Sequence, residues 1–264
     1  MAVVPTRASI HDAITRSRVA RVVARHVPTQ VADRLKTALR GRPSPMWGNM
    51  RRTTPFSRDW GFERGVPIDR VYVEEFLTRH AADIAGHVLE VKDSTYTMRF
   101  GGERVVQAHV VDIDAHNPRA TVVCDLAAPA ALRGFEFDCI ILTQTLHLVP
   151  DASRAVANCY AALKPGGTLL ITVPVITKAC DPSQDLWRFT PSGLLLVLKQ
   201  ACPDAAIEVG GFGNVLASIS FLMGLAAHEL DVGELQFDDE DYHIIAWGRV
   251  AKPLQARGQT SHRQ

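Results

Sequence analysis

Between Phe137 and Val175 the chain reads FDCIILTQTLHLVPDASRAVANCYAALKPGGTLLITVPV, and this stretch restricts the fold more than any other. Phe137 to Leu142 is a short apolar run of the kind required by a strand covered on both faces. A helical segment follows near Ser153 to Leu163, and Pro165-Gly166-Gly167 stops it before a second apolar run, Thr168 to Val175. Two apolar strands joined through a helix are one half of a doubly wound α/β sheet. In such sheets ligands sit beyond the carboxyl ends of the strands. The polar cluster Thr143, Gln144, Thr145 and His147 falls at that edge.

The remaining apolar runs fit the same plan. Val71, Val73, Phe76, Leu77, Ala81 and Ile84 recur at helical spacing, and Gly86 ends that helix just before His87 to Val91. Further runs lie at Val105 to Ile113, Thr121 to Cys124, Ala206 to Val209 and Tyr242 to Ala246, with a helical segment near Ser192 to Ala201. The expected fold is α/β, a doubly wound, mostly parallel sheet of seven strands preceded by an N-terminal helical arm. The arm covers 1–54, where the basic residues run from Arg7 to Arg52 and the only acids are Asp12 and Asp33, with helical-looking stretches at Ile10 to Arg25 and Val31 to Leu39. The α/β domain covers 55–250, and 251–264 reads as a disordered tail.

Net charge of +1 gives no general reason to expect a nucleic acid as partner. The cysteines Cys124, Cys139, Cys159, Cys180 and Cys202 are widely spaced and contain no C-x-x-C, so neither a disulfide framework nor a metal site is indicated. The longest apolar run, Val215 to Ala227, falls short of the ~18 residues of a membrane span. A cytoplasmic protein is expected.

The LKPGGTLLITVP turn, together with a preceding strand that ends in TQTLH, resembles the class I S-adenosylmethionine-dependent methyltransferases. FERGVPIDR at Phe62 to Arg70 and WRFT at Trp187 to Thr190 resemble a bacterial subgroup often associated with glycan or secondary-metabolite pathways; the overall likeness spans about residues 47 to 250. It implies a seven-stranded sheet whose last strand is antiparallel and lies beside the fifth, and S-adenosylmethionine as cofactor. The family's first loop reads acidic-x-Gly-x-Gly, because backbone without Cβ lets the donor lie against the main chain. Here it reads Glu90-Val91-Lys92-Asp93-Ser94: the acid is kept and both glycines are replaced.

The resemblance further implies an acid at the end of the second strand to hold the ribose hydroxyls. Asp112 and Asp114 are the candidates, with His109 if the strand ends early; Asp112 is preferred because a carboxylate accepts two hydroxyl hydrogen bonds. Asp125-Leu126 matches the family position that receives the adenine amino group, and a turn cap would account for Asp125 equally well. Thr143 and Gln144 complete the cofactor-binding set. His147 would take a proton from an acceptor hydroxyl, or merely orient its loop. Tyr96, Trp187, Arg188 and Asn214 are the acceptor-site candidates; Trp47-Gly48-Asn49 and the FERGVPIDR segment look like a lid.

Three functions stand open at this point. The first is methyl transfer to a small-molecule or glycan acceptor in a biosynthetic pathway. The second is a methyltransferase-like binding partner that has lost the donor. The third is another reaction on an anionic ligand, which Lys92 would suit.

Overall fold

The computed structural model describes residues 46–180 and 185–254. The expected helical stretches before Leu39, and the tail beyond Leu254, lie outside the described residues. By its internal contacts the chain divides into 1–53 and 54–264. In the first unit Gly48–Met50 forms a short 3-10 turn.

The second unit is built on a sheet in the order β3-β2-β1-β4-β5-β7-β6. Its strands are β1 Gly86–Val91, β2 Val105–Asp112, β3 Val122–Val123, β4 Phe137–Thr143, β5 Leu163–Pro174, β6 Ala206–Phe212 and β7 Ile245–Ala251. β1 to β5 run parallel, and β7 is antiparallel to both β5 and β6. This is the doubly wound sheet expected, with the reversed strand beside the fifth. Strand order reverses between β1 and β4, so the cleft beyond their carboxyl ends is the topological switch point.

The period-two alternation of each strand sends side chains to two cores. Leu89, Ile140, Leu142, Leu169 and Ile171 pack on one face under α2 (Ala152–Ala161) and α3 (Pro191–Ala201). Val88, Cys139, Ile141 and Leu170 pack on the other against α1 (Ile68–Arg79) and α4 (Val215–Leu222). The helices begin where short polar side chains satisfy free N–H groups. Asp151 accepts from Arg154 N at 2.9 Å for α2, and Thr190 from Gly193 N at 3.1 Å for α3, where Pro191 fills the first position. Asn214 caps α4 through Ala217 N at 2.9 Å. A short helix α5, Val232–Gln236, was not expected from the sequence.

Boundaries differ from expectation in three places. β7 begins at Ile245 because Tyr242 and His243 belong to a turn closed by Tyr242 N to Asp239 O. β6 runs on through Gly210 and Gly211 to Phe212, where a turn was expected. Both glycines are needed for close approach: a Cβ on Gly210 would sit 2.5 Å from the Trp247 ring, and one on Gly211 would meet the His243 ring. β5 takes in Pro165-Gly166-Gly167, and the register to β4 slips between Phe137 and Cys139. After β1 the chain makes a wide helical turn, Thr97–Gly101, and a 3-10 turn, Gly102–Arg104, in keeping with the short segment the sequence leaves there.

Ile140 is fully buried in the central strand β4. Ile140→Ala removes three carbons and leaves a cavity, and is expected to destabilise the domain by about 2–5 kcal/mol. Urea unfolding at an unchanged m-value would show it; a loss under ~1 kcal/mol would mean that the strand is not central.

Candidate active site

The switch point is closed from below by Glu90. Its carboxylate is buried at the end of β1 and accepts Tyr96 N at 3.2 Å and Thr97 N at 2.7 Å. Burial raises its pKa against the pull of those two bonds. Val91, the next residue, pairs with Val111 as the last rung of β1. Lys92 then takes φ 70°, the left-handed conformation that glycine adopts freely. Its N–H continues the ladder to Val111 O at 3.0 Å, and its carbonyl accepts Asn117 Nδ2 at 2.8 Å. The lysine therefore keeps a backbone shape the family builds with glycine, while its side chain is exposed.

Asp112 closes β2. Its Oδ1 accepts Asp114 N at 3.0 Å and its Oδ2 accepts Asn117 Nδ2 at 2.8 Å. Burial works against ionisation, but these bonds and the nearby Lys92 ammonium outweigh it and hold the carboxyl below its ordinary range. The Asp114 carboxylate and His109 lie apart from that arrangement: the carboxylate caps the following turn through His116 N, and His109 stacks on His87 with ring centroids 6.0 Å apart. Asp125, exposed after β3, accepts Ala127 N at 2.8 Å through Oδ1. Leu126 is in the core. Thr143 pairs with Thr172 as the last residue of β4.

Beyond β4 lies a cavity of about 180 Å³ lined by Trp60, Phe62, Asp69, Arg70, Gln144, His147, Leu148, Pro174, Ile176, Thr177, Lys178, Cys180, Phe221 and Ile245. Three buried polar atoms among its lining have no hydrogen-bond partner: Asp69 Oδ1, Gln144 Nε2 and His147 Nδ1. Gln144 is also strained, with φ 48°, and is held there by its N–H bond to Thr172 O at 2.8 Å. His147 is 6% exposed, and burial, aided by Arg188, depresses its pKa to about 4, so the ring is neutral at physiological pH. Burial raises Asp69 instead. One wall is a flap in which Trp60 donates from Nε1 to Thr177 Oγ1 at 2.9 Å and carries Lys178 Nζ 3.3 Å above its ring.

The acceptor-site candidates separate. Tyr96 stands at the mouth, receiving a long 3.4 Å contact from Arg70 Nη1 at its hydroxyl. Trp187 and Arg188 instead brace the loop that holds His147: Leu186 N and Trp187 N donate to His147 O, Trp187 Nε1 donates to Val149 O at 3.0 Å, and Arg188 is paired with Asp185. Asn214 uses all its polar groups on backbone, accepting Ala217 N and donating to Glu234 O and Phe237 O. His147, Cys180 and Asp185 bring ligand atoms within 4.8 Å of one another, yet the cation on that carboxylate is the Arg188 guanidinium. Sequence reasoning missed Asp69 and Arg70; they sit inside FERGVPIDR, where only the fold shows that the helix start opens onto the end of β4.

Residues 74–171 match the family model described as a methyltransferase domain. That match and the sheet order agree with the resemblance to the class I S-adenosylmethionine-dependent methyltransferases. Among solved structures it is similar to the plantazolicin methyltransferase BamL in complex with a triazolic desmethylPZN analog and S-adenosylhomocysteine (13% identity, 74% of this chain and 90% of that one, TM-score 0.49). It is also similar to the N-methyltransferase NodS of Bradyrhizobium japonicum with S-adenosylhomocysteine (15%, 72% and 89%, TM-score 0.47). A third is a SAM-dependent methyltransferase from Archaeoglobus fulgidus (15%, 69% and 94%, TM-score 0.47). No curated protein sequence matches the chain.

Because the His147 pKa falls from its usual 6.5 to about 4 on folding, the unfolded chain takes up a proton that the folded one refuses between those values. The contribution to stability is complete above pH 6.5 and is lost as pH falls toward 4. His147→Asn is expected to flatten the decline of the urea midpoint across that window relative to the parent; parallel curves would show that the ring is not buried as described.

Proposed function

We propose that the domain transfers a methyl group from S-adenosylmethionine to a small-molecule or glycan acceptor in a biosynthetic pathway. The observation that carries this reading is the convergence of three unpartnered buried polar atoms, Asp69 Oδ1, Gln144 Nε2 and His147 Nδ1, on one cavity at the switch point. Each such atom costs about 1–3 kcal/mol while it stays unpaired, a cost removed by a ligand that supplies the missing partners. Trp60, Phe62, Leu148, Ile176 and Phe221 give that ligand an apolar wall.

The residues present suit the donor's adenosine end. Asp112 keeps acceptor capacity on both oxygens after its two bonds, enough for two ribose hydroxyls, and Asp125 Oδ2 is open to an amino group. S-adenosylmethionine supplies an activated methyl group on a sulfonium. What remains for the chain is to orient the acceptor and exclude water, and the flap over the cavity suits both tasks. His147, neutral and unpartnered at Nδ1, is the group in the lining best placed to receive an acceptor proton.

One observation favours a second reading, in which the site takes an anionic ligand or partner and no donor: Lys92 sets a cation at the loop where the family has glycine. Calorimetry separates the two. S-adenosylmethionine or S-adenosylhomocysteine is expected to bind in the micromolar range, roughly −7 to −8 kcal/mol. No heat and no thermal shift at millimolar concentrations of either would end the enzyme reading.

Lys92 itself makes a finer test. Its side chain is exposed and acts on Asp112, so Lys92→Gly is expected to leave the ratio of the two affinities unchanged. Selective tightening of S-adenosylmethionine would mean that the ammonium faces the sulfonium, since only that compound carries the charge.

A further inference from the structure

We infer that Asp69, Arg70 and Gln144 form the subsite for the amino-acid end of the donor, in place of the glycine loop this chain lacks. The inference rests on the methyltransferase function proposed for the domain and deepens it. An α-amino acid presents an ammonium and a carboxylate a few bonds apart, so its receptor needs an anion and a cation that are not already paired. Asp69 and Arg70 are adjacent in the first turn of α1 and line the same cavity. The buried Oδ1 of Asp69 has no hydrogen-bond partner, and the neighbouring Arg70 charge acts on the carboxylate without closing an ion pair. Among the described residues Arg70 makes no ion pair, and its one hydrogen bond is the long contact to Tyr96 Oη. Gln144 adds an unpartnered amide N–H donor to the same cavity from the end of β4.

Position and size agree with that assignment. Arg70 touches Tyr96, whose N–H is bonded to Glu90 at the end of β1, and Gln144 follows β4, so the group straddles the two strands of the switch point. A cavity of about 180 Å³ holds an end of a molecule, since whole small-molecule sites run to roughly 300–1,000 Å³. The donor carboxylate would receive the Arg70 guanidinium and the Gln144 amide, and its ammonium would donate to Asp69. Neither Glu90 nor Lys92 lines this cavity: the Glu90 carboxylate is buried beneath the first loop with a backbone N–H on each oxygen, and the Lys92 side chain is exposed.

The test compares S-adenosylhomocysteine with 5′-methylthioadenosine, which keeps the adenosine and thioether but lacks the amino-acid end. Titrations by calorimetry would use the full-length parent, Asp69→Asn, Arg70→Met and Gln144→Glu. Each substitution is expected to weaken S-adenosylhomocysteine about tenfold to a hundredfold and to leave 5′-methylthioadenosine within about twofold. Retained 5′-methylthioadenosine binding also reports that a variant is folded. Equal losses for both compounds, or unchanged S-adenosylhomocysteine affinity in all three variants, would overturn the inference. So would a parent that binds the two compounds equally well, an outcome that leaves the methyltransferase reading standing. A parent that binds neither removes both.

Discussion

The carboxylate of Glu90, shut beneath the loop after β1 and holding the N–H groups of Tyr96 and Thr97, is the constraint from which the site takes its shape. A buried carboxylate must find donors, and backbone N–H groups at the start of the next turn are the nearest that can reach it. By taking them, Glu90 draws Tyr96 back toward the strand and forces the chain to reverse within Val91 to Ser94. Lys92 bears the consequence as a left-handed residue. Tyr96 in turn meets Arg70, which links the end of β1 to the start of α1, itself seated by Ile68, Tyr72, Val73, Phe76 and Leu77 in the core.

Much of this was legible in the residues. Apolar runs and helical spacing located the strands and the crossover through α2, because a strand buried on both faces requires an unbroken apolar run that a surface loop or a half-exposed strand does not. Strand ends were harder to read. Gly210 and Gly211 look like a turn, yet they lie within β6 because two aromatic rings across the sheet leave no room for a Cβ. Such long-range contacts leave no local trace. α5 failed to show for a related reason: its five residues bury no side chain and carry no periodic pattern.

Of the candidate site, only the placement of the acids at the strand ends was legible. Glu90, Asp112 and Asp125 follow strands, and register brings them to one edge by geometry alone. Trp187, Arg188 and Asn214 also stand at loop starts, but their polar groups are engaged in bracing backbone, a fact that only hydrogen-bond partners reveal. Asp69 and Arg70 present the reverse case. Nothing in their spacing distinguishes them from an ordinary first helical turn with an acid near its N-terminus. What singles them out is an unpartnered, buried carboxylate oxygen on Asp69 beside a guanidinium with no ion pair among the described residues, and that is a property of the fold.

Burial at the cavity also moves its two titratable groups in opposite directions, since both shifts favour the uncharged form: Asp69 rises and His147 falls. The lining is therefore one in which an uncompensated charge is costly and a paired one is strengthened, because the same low dielectric acts on both. Transfer from a sulfonium to a neutral acceptor leaves a neutral thioether and moves the positive charge to the acceptor, so surroundings that penalise an unpaired cation favour loss of the acceptor proton to a base or to water. Lys178, a cation of the lining, is held against the face of Trp60, which offsets part of its charge at the wall. The arrangement ties specificity and chemistry to the same property. A ligand that pairs the open polar atoms is bound, and the dry surroundings that make those atoms costly to leave open also favour an acceptor that gives up its proton as the methyl group arrives.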